Sequence, residues 1–370
     1  MKEETAKLKA KLRTKSNPQA IDWTKALSSG LTLLNLAVTG RTDACFLPGH
    51  YYLFVGDSQA GKTWLLLTAM AEAANSEAYC KHRLILDNPE RGALMDYWRY
   101  FGSRLADHLE PASRSGPSKT IEDFYDHVDD AVGLGEPFFY GLDSEDALSS
   151  EAERKKFAKD KKTRFKISVG DDDEGQIKGS YGDGKAKKNS QMLRVAHNSL
   201  ADSGSILAIV KQTRDNIGFD AMFNPKTRSG GRALTFYATC EFWFSVKGKI
   251  KKTVRGEKRI VGSVLKIHVK KNRIAGRDWA VEIPFFPSVG FDDTGSMIDF
   301  LVKEKHWNKS SDDPLTYKLV APEFDFDGSR EKLVHLIEND EREPELKDLV
   351  SEVWTEIEEA CKVRRKPKYA

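Results

Sequence analysis

The chain has 370 residues, 39% apolar and 31% charged, which allows one large domain and a smaller one around a sizeable core. No run of eighteen apolar residues occurs, and the N-terminal stretch MKEETAKLKAKLRTKSN lacks an apolar segment, so neither a membrane-spanning helix nor a secretory leader is expected. The net charge of +3 hides an asymmetry: Lys247 to Arg277 holds twelve Lys/Arg against one acid, Glu257, while Ser311 to Cys361 holds sixteen Asp/Glu against five Lys/Arg, which suggests a polyanion-binding core beside an electrostatically distinct appendage.

Residues 1–29 suggest a short helical arm, with Ala6, Leu8 and Leu12 before a break at Pro18. Pro48-Gly49 then marks a turn, and Tyr51–Val55 reads as a buried strand. Trp64–Ala74 reads as a helix. Further apolar runs at Arg83–Asp87, Pro137–Asp143 and Ser205–Lys211 alternate with helical patterns, among them Thr120–Val132 and Asn189–Ala201. This alternation predicts an α/β fold with a parallel sheet covered on both faces. After Ala238 three strand-like runs, Thr239–Val246, Val261–Asn272 and Trp279–Phe286, predict a hairpin extension of the same sheet. The charged segment Glu151–Lys188, with Asp171-Asp172-Asp173-Glu174 and a glycine-rich run at 179–184, is expected to be a mobile loop or insertion. A small acidic C-terminal domain of α+β type is expected over 291–370, with Leu346, Leu349, Val350, Val353, Trp354 and Ile357 on one helix face. The expected units are thus an arm at 1–29, a core at 30–290 and this appendage. Cys45, Cys80, Cys240 and Cys361 are scattered without a CxxC pair and read as reduced thiols.

The chemistry begins at Gly56-Asp57-Ser58-Gln59-Ala60-Gly61-Lys62-Thr63. This G-x-x-x-x-G-K-T motif follows a strand and opens a helix, the context a phosphate-binding loop needs. Its glycines turn backbone N–H groups toward phosphates, and the helix N-terminus adds positive potential. Lys62 would hold the outer phosphates, and Thr63 would bind Mg²⁺. Asp143 ends an inner strand and is placed to hold the same ion, with Ser144 beside it. The hydrolytic carboxylate is expected at Glu90, with Asp87 as its competitor, unless Glu90 caps a helix starting near Ala93.

Three stretches carry a resemblance: Leu27-Ser28-Ser29-Gly30, Gly56–Thr63, and above all Lys211 to Thr239, KQTRDNIGFDAMFNPKTRSGGRALTFYAT. The sequence resembles the RecA recombinase family, including phage recombinases of the UvsX kind, over roughly residues 28 to 300. The resemblance implies a RecA-like P-loop NTPase core that uses ATP and Mg²⁺. It makes Gln212 the sensor of the γ-phosphate at the head of a DNA-binding loop, about Asp215 to Ser229. Arg214, Met222, Phe223, Lys226, Arg228, Gly230 and Gly231 would contact DNA there, cations on the backbone and apolar groups between bases. Ordering that loop only with ATP would make a switch. The first DNA-binding loop is expected within 175–188, where Lys178, Lys185, Lys187 and Lys188 are candidates.

Val269-Lys270-Lys271-Asn272-Arg273 resembles the family's pair of cations around an Asn, which gives Lys271 and Arg273 a role on a neighbour's phosphates. Tyr97, five residues before Gly102, resembles the adenine-stacking tyrosine. The family usually carries Asp-x-Glu where this chain has Asp87-Asn88-Pro89-Glu90, one residue longer. The resemblance implies single-stranded and homologous double-stranded DNA as partners, helical filaments joined through the 1–29 arm, single-stranded-DNA-binding and mediator proteins, and a bacterial cytoplasmic setting, phage-encoded or not. Two other readings share the phosphate loop: a hexameric helicase-type ring motor, and a paralogue that coats DNA or acts as mediator without hydrolysis. The Lys211–Thr239 stretch favours the recombinase.

Overall fold

The computed structural model describes residues 21–168, 183–215, 226–228, 231–310, 317–366 and 368, with backbone alone at 160–168, 183–186, 214–215, 226–228 and 231–232. Its centre is one sheet of ten strands: β1 (Tyr51–Gly56), β2 (Arg83–Asp87), β3 (Leu109–Pro111), β4 (Phe138–Leu142), β5 (Ile206–Asp215), β6 (Lys226–Arg228), β7 (Cys240–Val254), β8 (Glu257–Asn272), β9 (Ala280–Phe286) and β10 (Gly290–Phe291). The order is β10-β9-β8-β7-β1-β5-β4-β2-β3, with β6 on β5. From β7 to β3 all neighbours are parallel; β8, β9 and β10 return antiparallel. This is the parallel sheet with a hairpin extension that the alternating runs predict.

β1 is buried along its whole length, as a central parallel strand with both faces covered must be. Tyr51, Leu53 and Val55 join the core under the helices Ile121–Gly133, Asp183–Ser203 and Gly231–Tyr237. Tyr52 and Phe54 point the other way, into the larger core beneath the helices Thr32–Thr39, Lys62–Asn75 and Tyr97–His108. Gly141 in β4 lets the helix Lys62–Asn75 approach: a Cβ there would lie 2.8 Å from both Leu66 methyls and from Met70 Cε.

β7 and β8 run well past the predicted ends, to a two-residue turn at Arg255 (φ 53°) and Gly256 (φ 81°). Two successive positive φ values suit the right-handed twist of a hairpin. Beyond Val246 the ribbon is exposed, with Ile250 the buried exception before Glu257.

The expectation of a mobile loop over Glu151–Lys188 is corrected. Helices occupy Glu151–Ser168 and Asp183–Ser203; residues 169–182, including the four acids at 171–174, lie outside the described residues. The first helix opens on a reciprocal cap, Ser150 N to Glu153 Oε2 at 2.8 Å and Glu153 N to Ser150 Oγ at 3.2 Å, and Lys155 pairs with Glu151. Caps and i,i+4 pairs form a helix that needs no apolar face. Of the expected arm at 1–29, residues 1–20 also lie outside the described residues; within 21–29 a single 3-10 turn forms at Trp23–Lys25, and Leu27 bridges to Phe46.

After β10 come the helix Asp293–Lys303, a hairpin of β11 (Lys318–Ala321) with β12 (Phe326–Ser329), and helices Arg330–Asn339 and Glu343–Cys361. Leu346, Val350, Val353 and Trp354 are buried on one face of the last helix, in one continuous cluster with Leu33, Leu36, Ile267 and Ile283. Among the described residues no helix is long and apolar enough to cross a membrane.

Candidate active site

The ends of β1, β2, β4 and β5 meet at one edge of the sheet, where β1 gives way to the phosphate loop. Gly56 pairs with Gln212 of β5 on one side and Phe244 of β7 on the other. A Cβ on Gly56 would come 2.6 Å from Phe244 O. Gly61 adopts φ 91° and opens the helix Lys62–Asn75, so the loop ends in free N–H groups at a positive helix end. Ala60 is buried under the turn, whereas Ser58 and Gln59 (φ 59°) are exposed.

Lys62 Nζ donates to the carbonyls of Gly56 at 2.8 Å and Asp57 at 2.5 Å. Burial pulls its ammonium below the ordinary lysine value, opposed by Asp143 and Glu90. Thr63 Oγ1 donates to Asp143 Oδ2 at 2.5 Å. Burial raises the Asp143 carboxyl; Thr63 and Lys62 oppose the shift and Glu90 adds to it. The Asp143–Ser144 peptide is cis. A hydroxyl and a carboxylate, both hard oxygen donors at the helix N-terminus, form a set that fits Mg²⁺.

Three strand ends converge on Glu90. Its Oε1 accepts from Ser144 Oγ and, at 2.9 Å, from Gln212 Nε2. The side chain is exposed at the rim. Asp87, the competitor, is fully buried and already bonded: it accepts from Ser118 N at 2.9 Å, from Ser118 Oγ and from Tyr140 OH at 2.8 Å. Ser118 Oγ also pairs with His127 Nδ1 at 2.9 Å. Asp87 thus fastens β2 to the segment before the helix Ile121–Gly133. Nor does Glu90 cap a helix near Ala93: the helix starts at Tyr97, capped by Asp96. Tyr97 is half-buried, and its hydroxyl donates to Ala93 O at 2.6 Å. Burial raises its phenol, with a smaller push from Asp143.

Lys271 and Arg273 lie elsewhere. Lys271 pairs with Glu241, three residues before Phe244, which faces Gly56. Lys271 Nζ donates to Thr235 O and, at 3.1 Å, to Phe236 O; Arg273 Nη2 donates to Phe236 O at 2.7 Å. Both cations therefore sit on the carboxyl end of the helix Gly231–Tyr237, where positive charge is favoured. Asn272 between them bonds Val38 O at 2.9 Å and caps its own turn.

On the candidate nucleic-acid side, β5 and β6 form a narrow antiparallel stem that pairs Thr213 with Arg228, Arg214 with Thr227 and Asp215 with Lys226. Met222, Phe223 and Gly230 lie outside the described residues, and Arg214, Lys226, Arg228, Gly231 and Lys185 are described by backbone alone. Lys187 and Lys188 are exposed near the start of the helix Asp183–Ser203; Lys188 lies 3.9 Å from Glu122. The exposed β7–β8 ribbon adds Lys247, Lys249, Lys251, Lys252, Arg255, Lys258 and Arg259, the spatial form of the basic stretch in the sequence.

Sequence reasoning missed several bonded residues. Thr213 Oγ1 donates to Asp57 of the phosphate loop. Lys211 and Glu145 form a fully buried ion pair. The signal for Lys211 was a cation ending an apolar run, which reads equally well as a strand leaving the core. Compared with known families, residues 168–291 match the model of the RecA N-terminal domain, about a third of the chain. The matched stretch holds Gln212, the β5–β6 stem, the helix Gly231–Tyr237 and the Lys271–Arg273 pair, and over it the chain is similar to that family.

Proposed function

We propose that the chain is an ATP-dependent DNA recombinase that forms helical filaments on single-stranded DNA and pairs it with a homologous duplex. The observation that carries this reading is the junction of Gln212 with Glu90 beside the phosphate loop, at the foot of the β5–β6 stem. A γ-phosphate at this loop would compete for the Gln212 amide, so nucleotide state would be communicated to the residues that follow Asp215. The similarity of residues 168–291 to the RecA N-terminal domain supports the same assignment, since that family works as DNA-dependent ATPases.

In this mechanism Lys62 and the loop N–H groups hold the phosphates. Thr63 and Asp143 would hold Mg²⁺, which supplies charge neutralisation on the phosphoryl oxygens. Glu90 takes the proton of the attacking water, oriented by Ser144 and Gln212. Tyr97 flanks the base. Lys271 and Arg273, which bond carbonyls at the end of the helix Gly231–Tyr237, would serve a neighbour's loop, which makes turnover depend on assembly. The β5–β6 stem, Lys187, Lys188 and the β7–β8 ribbon offer cations to DNA phosphates.

The test is the ATPase rate with and without single-stranded DNA, with electron micrographs of the same samples. Stimulated turnover on helical filaments is expected. Closed rings that translocate would replace this reading with a helicase-type motor, and filaments without turnover would leave a coating protein.

A further inference from the structure

Lys211 ends the buried part of β5 with its side chain fully inside the protein. It lies on the face that Leu207 and Ile209 share, because alternate residues of a strand point the same way. Its ammonium pairs with Glu145, also fully buried, and lies 3.9 Å from Asp146. Glu145 Oε1 accepts from Asn189 Nδ2 at 2.7 Å, and Asn189 Oδ1 accepts from Tyr125 OH at 3.1 Å. Asn189 belongs to the helix Asp183–Ser203. Asp146 accepts from the backbone N–H of Gln212 at 2.7 Å. Gln212, the next residue, emerges on the opposite face of the strand, where it meets Glu90.

Such a pair is poorly explained by stability. Desolvating two charges costs several kcal/mol each, and apolar residues of similar volume commonly replace a buried ion pair without loss. What the pair does supply is a fixed geometry: it ties the end of β5 to the Glu145–Ala147 turn and, through Asn189, to a helix that starts with exposed lysines.

We propose that Lys211 is a positioning residue that couples Gln212 to the helix Asp183–Ser203, the Lys211–Glu145–Asn189 chain on one face of β5 setting the reach of Gln212 toward Glu90 on the other. The proposal rests on the reading of Gln212 and Glu90 as parts of an ATP site. A nucleic acid held by Lys187 and Lys188 and a nucleotide met by Gln212 then share one mechanical link, and linkage makes their influence reciprocal.

The experiment compares the full chain with Lys211→Met, Glu145→Leu and the double variant. Each single change removes the nearest counter-ion of a fully buried charge and should lower the thermal midpoint; the double variant should recover it. In the double variant, amide exchange without nucleotide should accelerate at Gln212 and along 183–203. The KM for ATP should stay within about twofold, while stimulation of kcat by a poly-dT oligonucleotide falls about tenfold. Wild-type exchange and full stimulation in the recovered double variant would overturn the proposal and leave a merely structural pair. Should the double variant fail to fold, Asn189→Leu cuts the same link and leaves the ion pair; unchanged stimulation and exchange there would overturn the proposal equally. A wild type that never hydrolyses ATP would sink the functional reading alone, because the exchange comparison still decides whether the link exists.

Discussion

Glu90 Oε1 accepts a hydrogen bond from Gln212 Nε2 at 2.9 Å across 122 positions of sequence. The bond joins the loop after β2 to the end of β5. If a γ-phosphate enters the loop as proposed, it would compete with the Glu90 carboxylate for the Gln212 amide. Gln212→Ala should therefore leave ATP affinity within about twofold and reduce DNA-stimulated turnover at least about tenfold. Nucleotide titration and ATPase rates with and without single-stranded DNA measure both. A matching loss of affinity and turnover would mean that Gln212 belongs to the binding site and not to a switch.

Lys62 and Asp143 give a second prediction with a pH dependence. Lys62→Ala removes the loop's cation and should lower turnover by about a hundredfold or more. If Asp143 holds Mg²⁺ as proposed, it must be ionised to do so, and burial keeps its carboxyl above the ordinary aspartate value. Activity is thus present above that raised pKa and lost as pH falls through it, earlier on acidification than for an exposed aspartate. A pH–rate profile at several Mg²⁺ concentrations checks this, since added Mg²⁺ should push the acid limb to lower pH. An acid limb indifferent to Mg²⁺ would assign it to another group.

The phosphate loop and the strands around it were legible because central parallel strands are continuous apolar runs, and Tyr51–Gly56 is one. Three features were not. The helix Glu151–Ser168 is dominated by charged residues, and its larger apolar ones, Phe157, Phe165 and Ile167, do not recur every three or four positions; it opens on the Ser150–Glu153 cap and shows no hydrophobic period to read. The distal β7–β8 ribbon is exposed on both faces and carries no alternation that marks an inside. Glu90 could be named as a candidate but not placed: it comes one residue later than in the family the sequence resembles, and its contacts with Ser144 and Gln212 arise only in the fold. The turn that holds the extra residue uses Arg91 at φ 55° and Asn88, whose Oδ1 accepts from Gly92 N at 3.1 Å. Local sequence cannot reveal where such a turn points.

Gly141 tests how the phosphate-loop helix is seated. A methyl there would meet Leu66 and Met70 at 2.8 Å, and overpacking of this kind costs about 1–3 kcal/mol. Gly141→Ala should lower the thermal midpoint by several degrees. ATP affinity should fall too, because the helix Lys62–Asn75 carries Lys62 and Thr63. An unchanged midpoint would show that Leu66 and Met70 move aside freely.

Asp293 ties the C-terminal region to the helix Thr32–Thr39 by accepting from Thr32 N at 2.8 Å and Thr32 Oγ1 at 2.7 Å. Burial nevertheless pushes its carboxyl up to about 6. The folded state therefore binds its proton more tightly than the unfolded chain does. This contribution is full below about pH 4 and is lost as pH rises through about 6. Asp293→Asn keeps an acceptor for Thr32 N and offers a donor to its hydroxyl. The difference in thermal midpoint between variant and wild type should thus shift in favour of Asn over that window and stay flat above it. A difference independent of pH would mean that Asp293 titrates normally.

Lys271 and Arg273 bear on assembly. Lys271 stands opposite Glu241, whereas Gly56 stands opposite Phe244, and both cations bond carbonyls of the helix Gly231–Tyr237. If they serve a neighbour's phosphates, an interface is competent when one protomer supplies Lys62 and the next supplies the cations. Lys62→Ala and Lys271→Ala should each be inactive alone. Mixed in equal amounts on single-stranded DNA, random order along a head-to-tail filament leaves about a quarter of the interfaces intact, so about a quarter of wild-type turnover should return. Lys271 also holds helix carbonyls, so its variant must first match the wild type in amide exchange over 231–237. Given that match, mixtures that stay as inactive as their components would place the cations outside the reaction.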